Sequence, residues 1–263
     1  MKDFYKENMK ALKKASPSLH QKLRTIKSNE RYEVFAGKDP VDINILDHTN
    51  ETPLYTEPVA DTLALLKEMG PYSRYPFLVF YGAGNGFFFN ALLGNEAYKH
   101  IIVIEPELEL LYIALNLSDF SQNISDKRIL FFHSDDLDAA IAQKLMGFND
   151  IGLFVKLYNM HLTSPYYALY QDDLVAKNKL MIDAVIQFVS THGNDATDSL
   201  IGIRHFIQNI PLMLGTTPFK NFCEKRNSEL AIIASTGPSL MKQLPLLKEI
   251  QNSVPIIVPD ASM

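Results

Sequence analysis

The fold is decided by residues 77–105, which read FLVFYGAGNGFFFNALLGNEAYKHIIVIE. Two apolar runs of strand length flank a glycine-rich turn and a short helical segment. Similar runs follow, RILFFH at 128–133 and IGLFVKL at 151–157, with helical segments between them. Strands that are apolar on both faces and alternate with helices are typical of a parallel sheet covered on both sides. The sequence therefore predicts an α/β protein with a Rossmann-like domain.

Three parts of the chain differ in their patterns. Residues 1–70 combine two amphipathic helices, an alternating hairpin and a third helix, so we expect an N-terminal α+β segment. Residues 71–225 carry the Rossmann-like pattern and two long helical segments after it. From residue 226 a second cycle of strand, helix and strand begins with ELAIIAS and ends with VPIIVPD. Because two strands and one helix do not complete a sheet, we expect residues 226–263 to be the truncated beginning of a second α/β domain.

The composition is that of a globular protein, with 47% hydrophobic and 21% charged residues. The net charge of −5 would repel a phosphate backbone, so we expect no nucleic-acid partner. Cys223 is the single cysteine, which excludes an intramolecular disulfide and fits a reducing cytoplasm. The N-terminal MKDFYKENMKALKK has no apolar h-region, so we expect no secretory signal. The charge-free stretch at 75–95 is interrupted by glycine and asparagine, so we expect no membrane span.

The glycine turn after the first apolar run is a candidate ligand site. Gly82, Gly84 and Gly86 lie between a strand and a helix, where glycines let backbone amides approach a ligand and a helix start favours negative charge. Glu105 ends the next strand and is placed to accept a hydrogen bond from a ribose hydroxyl. The spacing G-x-G-x-G resembles the first motif of class I methyltransferases, which bind S-adenosylmethionine, but Phe80 stands where those enzymes place an acidic residue. A methyl-donor site and a purely structural turn therefore remain as alternatives.

Two other patterns contain residues that can ligate a metal ion. Residues 134–138 bring three carboxylates close in sequence, but a serine and acids before an apolar helical run are typical of a helix N-terminus. His133, His161, His192 and His205 form no pair spaced four residues apart. We therefore expect no metal site.

A second strand–turn–helix motif lies near the end of the sequence. Gly237, Pro238, Ser239 and Leu240 come just after the strand pattern AIIAS. Proline is favoured in the first turn of a helix, serine offers a hydroxyl, and free amides at a helix start can hold a phosphate. Because ligands bind at the carboxyl ends of strands in α/β folds, this turn is a candidate nucleotide-phosphate site.

Three segments together resemble the bacterial motility accessory factors. They are MKDFYKENMKAL at 1–12, GNDATDSLIGIRHFIQNIP at 193–211, and AIIASTGPSLMKQLPLLKEI with VPIIVPDAS at 231–262. Members of this family are much longer proteins, implicated in attaching nonulosonic acids, pseudaminic or legionaminic, to flagellin. The resemblance implies an N-terminal Rossmann-like domain and the opening of a central domain that is shared with archaeal hydroxymethylpterin pyrophosphokinases.

The resemblance also implies roles for the second motif. Its G-P-S-L resembles the nucleotide-binding start of bacterial sialyltransferases that use CMP-sugars, so residues 237–240 would cradle the nucleotide phosphate. Asp260, at the next strand end, would lie near the ribose or the base. Thr236 stands where the sialyltransferases have an asparagine that contacts cytidine, which puts that contact in question. The catalytic base would lie beyond Met263, so no catalytic residue is assigned and residues 1–263 alone are expected to be inactive.

The function implied by the resemblance is transfer of a nonulosonic acid from a CMP-sugar to serine or threonine hydroxyls of flagellin in the cytoplasm. The partners would be flagellin and a nucleotide sugar, with CMP-nonulosonic acid as the donor substrate and no further cofactor assigned. Three alternatives stay open. Residues 1–225 could be a non-catalytic module for flagellin recognition or assembly, residues 237–240 could hold ATP in a pterin pyrophosphokinase, or the glycine turn could serve a methyltransferase.

Overall fold

The structure is a computed structural model. It describes residues 3–26, 30–37, 39, 42–192, 196–218, 220–223, 229–235 and 237–258. The chain divides into two compact units, Met1–Asn194 and Asp195–Met263. The α/β class predicted from the sequence is confirmed, whereas the three-part division at residues 70 and 225 stays a prediction.

The first unit opens with a helical hairpin and a small antiparallel sheet, followed by a helix. These elements are α1 (Phe4–Ala15), α2 (Pro17–Leu23), β1 (Tyr32–Ala36), β2 (Ile43–Asp47), β3 (Thr52–Pro53) and α3 (Pro58–Glu68). Asp3 caps α1 by accepting a hydrogen bond from the Lys6 amide, and Pro17 starts α2 as expected of a first-turn proline. The predicted helical hairpin and β-hairpin are thus confirmed.

The second part of this unit is the parallel sheet with its crossover helices. Its elements are β4 (Phe77–Tyr81), α4 (Phe87–Leu92), β5 (His100–Glu105), α5 (Leu108–Leu117), α6 (Ser121–Ser125), β6 (Ile129–His133), α7 (Ala139–Met146), α8 (Ile151–Phe154), β7 (Met160–Leu162) and α9 (Gln171–His192). The strands are all parallel in the order β6-β5-β4-β7. The two central strands, β4 and β5, are buried along their whole length, which explains their continuous apolar sequences.

The strand predicted at residues 151–157 is wrong. This segment forms α8 and a 3-10 turn, and the fourth strand is β7, three residues farther along the chain. Ile151 and Val155, four residues apart, are buried while Leu153 between them is 81% exposed. Burial at a spacing of four residues is the pattern of a helix, so the apolar run alone was a misleading signal.

Two apolar cores cover the two faces of the sheet. Phe80 and Val103 belong to the core shared with α1, α2, α4 and α6. Val79 and Ile102 belong to the core shared with α7 and α9. Alternate residues of one strand therefore anchor opposite helical layers, as the two-residue period of a strand requires.

Asn8 joins the N-terminal hairpin to the sheet layer. Its side chain is fully buried, and its amide nitrogen donates to the carbonyls of Leu115 (2.8 Å) and Ser118 (2.7 Å). Its amide oxygen accepts from the Phe120 N–H at 2.8 Å. A buried amide is stable only when its hydrogen bonds are made, so this set of contacts fixes α1 against the loop after α5.

The second unit contains α10 (Ala196–Gly215), α11 (Lys220–Cys223), β8 (Ile232–Ile233), α12 (Leu240–Ile250) and β9 (Ile256–Ile257). β8 and β9 pair in parallel, with Ile232 opposite Ile256, which confirms the predicted strand–helix–strand cycle. Residues 193–195 of the segment GNDATDSL lie outside the described residues. Within the described part of the chain, no helix has the length and apolar character needed to cross a membrane.

Candidate functional site

The turn after β4 adopts a backbone that requires glycine. Gly82, Gly84 and Gly86 have φ angles of 100°, 57° and 84°, and Gly86 is the N-cap of α4. Residues with a Cβ rarely adopt these values, because the Cβ collides with the neighbouring backbone. The three glycines are therefore required by the turn itself, whether or not a ligand binds there.

Two buried tyrosines fill the space against this turn. A Cβ added at Gly82 would lie 2.1 Å from a ring carbon of Tyr167, and one at Gly84 would lie 2.0 Å from the Tyr55 hydroxyl. Both distances are far shorter than an ordinary contact between non-bonded atoms. The concave side of the turn is thus occupied by side chains of the first unit.

The backbone amides of the turn donate to acceptors in the same unit. The Ala83 N–H donates to Glu105 Oε2 at 2.6 Å, the Gly84 N–H to the Tyr167 hydroxyl at 3.0 Å, and the Asn85 N–H to the Tyr55 hydroxyl at 3.3 Å. The amides of residues 82, 86 and 87 donate to Ile104 O, Ala83 O and Asn85 Oδ1, respectively. Every amide from 82 to 87 therefore already has an acceptor, which leaves none of them in place for a phosphate or a carboxylate.

Glu105 is fully buried beneath the turn, at the end of β5. Its Oε2 also accepts from the Tyr167 hydroxyl at 2.7 Å, and its Oε1 accepts from the Glu107 N–H at 2.9 Å. Burial raises the pKa of Glu105 to about 7, even though the hydrogen bonds from Ala83, Glu107 and Tyr167 favour the carboxylate. Both oxygens of the predicted ribose acceptor are thus engaged within the protein.

We expect Glu105 to make stability depend on pH. Between its ordinary value of 4.5 and about 7, the folded protein holds a proton that the unfolded chain releases. The contribution of Glu105 is therefore greatest below about pH 4.5 and declines by about 3 kcal/mol as the pH rises to 7. Urea unfolding between about pH 5 and 8 tests this through the difference in unfolding free energy between wild type and Glu105→Gln.

The matched control for this measurement is Glu96→Gln, because Glu96 is an exposed carboxylate in the loop before β5. Glu96→Gln measures how a Glu-to-Gln substitution by itself changes the free energy of unfolding over this pH range. If the difference between wild type and Glu105→Gln varies with pH no more than the difference for Glu96→Gln does, the carboxyl group of Glu105 does not titrate with the raised pKa.

A charged and phenolic cluster joins the small sheet to the start of α5. Arg31 binds Asp47 through two hydrogen bonds of 3.1 and 2.9 Å and binds Glu107 at 2.7 Å. The hydroxyls of Tyr166 and Tyr170 donate to Asp47 (2.6 Å) and Glu107 (2.7 Å). Burial alone would raise the pKa of Asp47, but the hydrogen bonds from Arg31 and Tyr166 outweigh it and hold that pKa well below its usual range. Because its charges are mutually paired, this cluster is suited to holding elements together.

The acidic segment after β6 is a helix start. Residues 134–136 form a 3-10 turn, and Asp138 caps α7 by accepting from the Ile141 N–H at 2.8 Å. The cap is therefore Asp138, and the Ser134 hydroxyl donates to Asp173. Among the described residues, no group of three or more His, Cys, Asp or Glu side chains is placed to hold a metal ion.

The second predicted motif forms an open turn between β8 and α12. Gly237, Pro238 and Ser239 are exposed, and a Cβ added at Gly237 would meet only the Ser239 hydroxyl, at 3.8 Å. The Leu240 N–H donates to Gly237 O at 2.9 Å, and within the described residues the Ser239 side chain makes no capping hydrogen bond. Thr236 and Asp260 lie outside the described residues.

Sequence reasoning missed the residues that fill and flank the first turn. These are Tyr55, Tyr167, Arg31, Asp47 and Tyr166. The segment SPYYALY at 164–170 carries three tyrosines within two helical turns, and this density of hydroxyls was the available signal. It could have indicated a polar aromatic cluster, but not its position against the glycine turn.

The fold and the turn together define the class of the first unit. A parallel sheet whose first strand runs into a three-glycine turn, with an acidic residue at the end of the next strand, is the arrangement of a Rossmann-like domain.

A family model described as glycosyltransferase Maf N-terminal domain matches residues 4–69 and 61–176, which is more than half of the chain. The chain therefore belongs to this family, and the resemblance to the motility accessory factors is confirmed. A second family model, described as 6-hydroxymethylpterin diphosphokinase MptE-like, matches residues 204–263.

Among solved structures, the chain is similar to the MAf glycosyltransferase from Magnetospirillum magneticum AMB-1. The identity is 12% and the TM-score is 0.45, over 97% of this chain and 46% of that chain. This chain thus spans about half the length of that structure. The comparison with curated proteins gave no match.

Proposed function

We propose that this protein acts in the glycosylation of flagellin in the cytoplasm. In this proposal a nonulosonic acid, pseudaminic or legionaminic, is transferred from its CMP-sugar to serine or threonine hydroxyls of flagellin. The family of glycosyltransferases to which the chain belongs supports transfer chemistry in general. The sugar, the donor and the acceptor follow from the resemblance to the motility accessory factors.

The observation that carries the assignment of the donor site is the contrast between the two glycine turns. All amides of residues 82–87 have acceptors within the first unit, and two tyrosines fill the adjoining space. The turn at Gly237 is exposed and has open space above it. We therefore assign the phosphate of the donor to residues 237–240.

In this proposal the donor site acts by positioning the reacting groups and stabilising charge. A CMP-linked sugar leaves with its phosphate, so the site must stabilise the charge that develops on the phosphate oxygen and align the acceptor hydroxyl. Pro238 has no N–H and the Leu240 N–H donates to Gly237 O, so the backbone N–H and the hydroxyl of Ser239 would donate hydrogen bonds to that phosphate. A base must also take the proton of the acceptor hydroxyl, and we assign no residue of this chain to that role.

Two alternatives rest on specific observations. The match of residues 204–263 to the pterin diphosphokinase model favours ATP as the ligand of the same turn. The filled glycine turn of the first unit favours a non-catalytic role for that unit, in flagellin recognition or assembly. The same filling argues against the third alternative, a methyltransferase, because the methyl donor would have to displace Tyr55 and Tyr167.

The test of the donor site is calorimetric titration of the natural gene product with CMP, ATP and S-adenosylmethionine. We expect CMP to bind and Gly237→Val to weaken it the most, because the new side chain occupies the space above the exposed turn. Ser239→Ala should act more mildly and lower the affinity by about 10- to 150-fold, the effect of one hydrogen bond to a charged group. Gly215→Val is the matched control, since Gly215 is also exposed and a Cβ there meets nothing within 4 Å.

Each outcome bears on a different proposal. Wild-type CMP affinity in folded Gly237→Val and Ser239→Ala protein would show that the donor site is wrong. Binding of ATP but not CMP, lost in Gly237→Val, would favour the diphosphokinase. Binding of S-adenosylmethionine that is unaffected by Gly237→Val would favour the methyltransferase and the first turn.

A further inference from the structure

A cavity of about 550 Å³ opens beside the carboxyl ends of β5 and β6 in the first unit. The residues after α2, Thr25 and Ile26, form one wall, and the start of α5 forms another, with Leu108 and Glu109. His133, at the end of β6, and Asp135, in the 3-10 turn after it, complete the lining. This edge of a parallel sheet is where α/β folds bind ligands, and it is separate from the filled glycine turn.

His133 carries a buried ring nitrogen, Nδ1, that no described side chain or backbone group satisfies. The residue is 8% exposed, and its Nε2 lies 3.2 Å from the Pro106 carbonyl oxygen. Since a carbonyl only accepts, Nε2 carries a ring proton, and in the neutral ring Nδ1 then presents a lone pair. This Nδ1 has no hydrogen-bond partner within the described residues. Unsatisfied buried polar atoms are rare, so the arrangement points to a donor supplied from outside.

The carboxylates around the cavity favour a positively charged donor. Asp135 Oδ2 lies 3.8 Å from His133 Nδ1, so one N–H-rich group could reach both acceptors. Glu109 adds a second carboxylate at the wall. Among the described residues, Lys22 pairs with Asp136, and Arg31 pairs with Asp47 and Glu107, so these two cations are already engaged.

Further observations indicate which kind of cation the cavity can bind. The start of α5 carries about half a positive charge, which opposes a cation, but Glu109 and Asp135 together contribute two full negative charges and outweigh it. The described residues offer no group of three ligands suited to a metal ion, which favours an organic cation. Ile26 and Leu108 supply apolar surface on which an aliphatic stem can pack.

We propose that this cavity binds a guanidinium or ammonium group on an aliphatic stem. The cation would donate hydrogen bonds to His133 Nδ1 and to Asp135, with Glu109 providing further attraction. Such a group is carried by an arginine or lysine side chain of a polypeptide and by a free polyamine. The proposal goes beyond the proposed transferase and does not depend on its donor site.

The test is titration of the protein at low salt with two probes, acetyl-arginine amide and spermidine, followed by calorimetry and by the NMR signals of the His133 ring. We expect saturable binding that shifts the His133 signals. Glu109 is partly exposed and the Asp135 side chain is 82% exposed, so Glu109→Gln combined with Asp135→Asn should weaken binding about 2- to 25-fold, the product of two solvent-screened charge interactions. Stronger binding of the arginine probe would identify a polypeptide side chain as the source, and stronger binding of spermidine would identify a free polyamine.

The matched control is Glu96→Gln combined with Asp126→Asn, which removes the same charge at the amino ends of the strands. This control should bind as wild type does. His133→Phe keeps a ring in place but removes both nitrogens, and it should also weaken binding while the thermal transition shows that it folds. The proposal is overturned if neither probe binds saturably, or if the control loses as much affinity as the cavity variant.

Discussion

Gly82→Ala is expected to lower the free energy of unfolding of the first unit by about 2–5 kcal/mol. A φ angle of 100° is strained for any residue with a Cβ, which costs about 1–2 kcal/mol. The new methyl group would also lie 2.1 Å from the Tyr167 ring and 2.5 Å from the Thr163 hydroxyl, and such overpacking costs about 1–3 kcal/mol or more. Thermal unfolding should show a midpoint lower by about 5–20 °C.

The control for this prediction is Gly70→Ala, since nothing lies within 4 Å of a Cβ added there and its φ is not positive. That substitution should leave stability unchanged or raise it slightly, because alanine restricts the unfolded chain.

A double-mutant cycle measures how much of the cost of Gly82→Ala comes from the contact with Tyr167. In a Tyr167→Ala background, Gly82→Ala should cost less, because the ring that it strikes is gone. Equal costs in both backgrounds would mean that Tyr167 does not pack on the turn.

The chain contains no tryptophan, so near-ultraviolet circular dichroism of tyrosine can follow both variants. Tyr55 and Tyr167 are buried against the turn, and loss of their fixed environment should accompany the transition.

The parallel sheet was predictable because strands that are buried on both faces have continuous apolar sequences. The runs at β4, β5 and β6 contain few polar residues, and the helices between them keep an apolar stripe. β7 left no such mark, because a three-residue edge strand has one neighbour and its residues are half-buried or exposed. The sequence instead predicts the fourth strand at the apolar run 151–157, although a short helix buries Ile151 and Val155 equally well.

The candidate site was predictable only in its backbone. Three glycines between a strand and a helix indicate a tight turn, since positive φ angles need glycine, and the structure has those angles. The occupants of the turn come from positions far away in sequence, Tyr55 after β3 and Tyr167 after β7. A single sequence contains no information on such long-range contacts unless spacing repeats, and here it does not.

The long-range contacts of the polar residues Asn8 and Arg31 were also not predictable from the sequence. Both read as ordinary surface residues of a charged N-terminal region, yet Asn8 is fully buried and Arg31 binds two carboxylates. Their roles depend on acceptors in α5 and β2 that only the tertiary fold brings near. Polar residues that hold elements together are thus harder to predict than the apolar residues that those elements bury.

Arg31→Met is expected to lower the free energy of unfolding by about 2–4 kcal/mol. Its side chain is 33% exposed while that of Asp47 is 0% exposed, so the substitution leaves a buried carboxylate without its cation. Breaking a fully buried pair costs about 3–5 kcal/mol, and the partial exposure of Arg31 reduces that figure. Urea unfolding at neutral pH measures the change. Lys179→Met is the control, because its pair with Asp183 is exposed on both sides and should contribute about 0.3–0.5 kcal/mol.

The dependence on pH tests whether Asp47 is the cause. In the wild type the pKa of Asp47 is held low, so its contribution is present above the ordinary value of about 3.9 and is lost as the pH falls below it. Without Arg31, burial dominates and raises the pKa of Asp47, so the variant loses stability as the pH rises through that raised value. The difference in free energy of unfolding between the variant and the wild type should therefore shrink on acidification towards about pH 4.5.

Adding Asp47→Asn to Arg31→Met should recover part of the stability at neutral pH, because it removes the unpaired charge. A double variant that is less stable than Arg31→Met at every pH would show that the loss comes from packing and not from a stranded carboxylate.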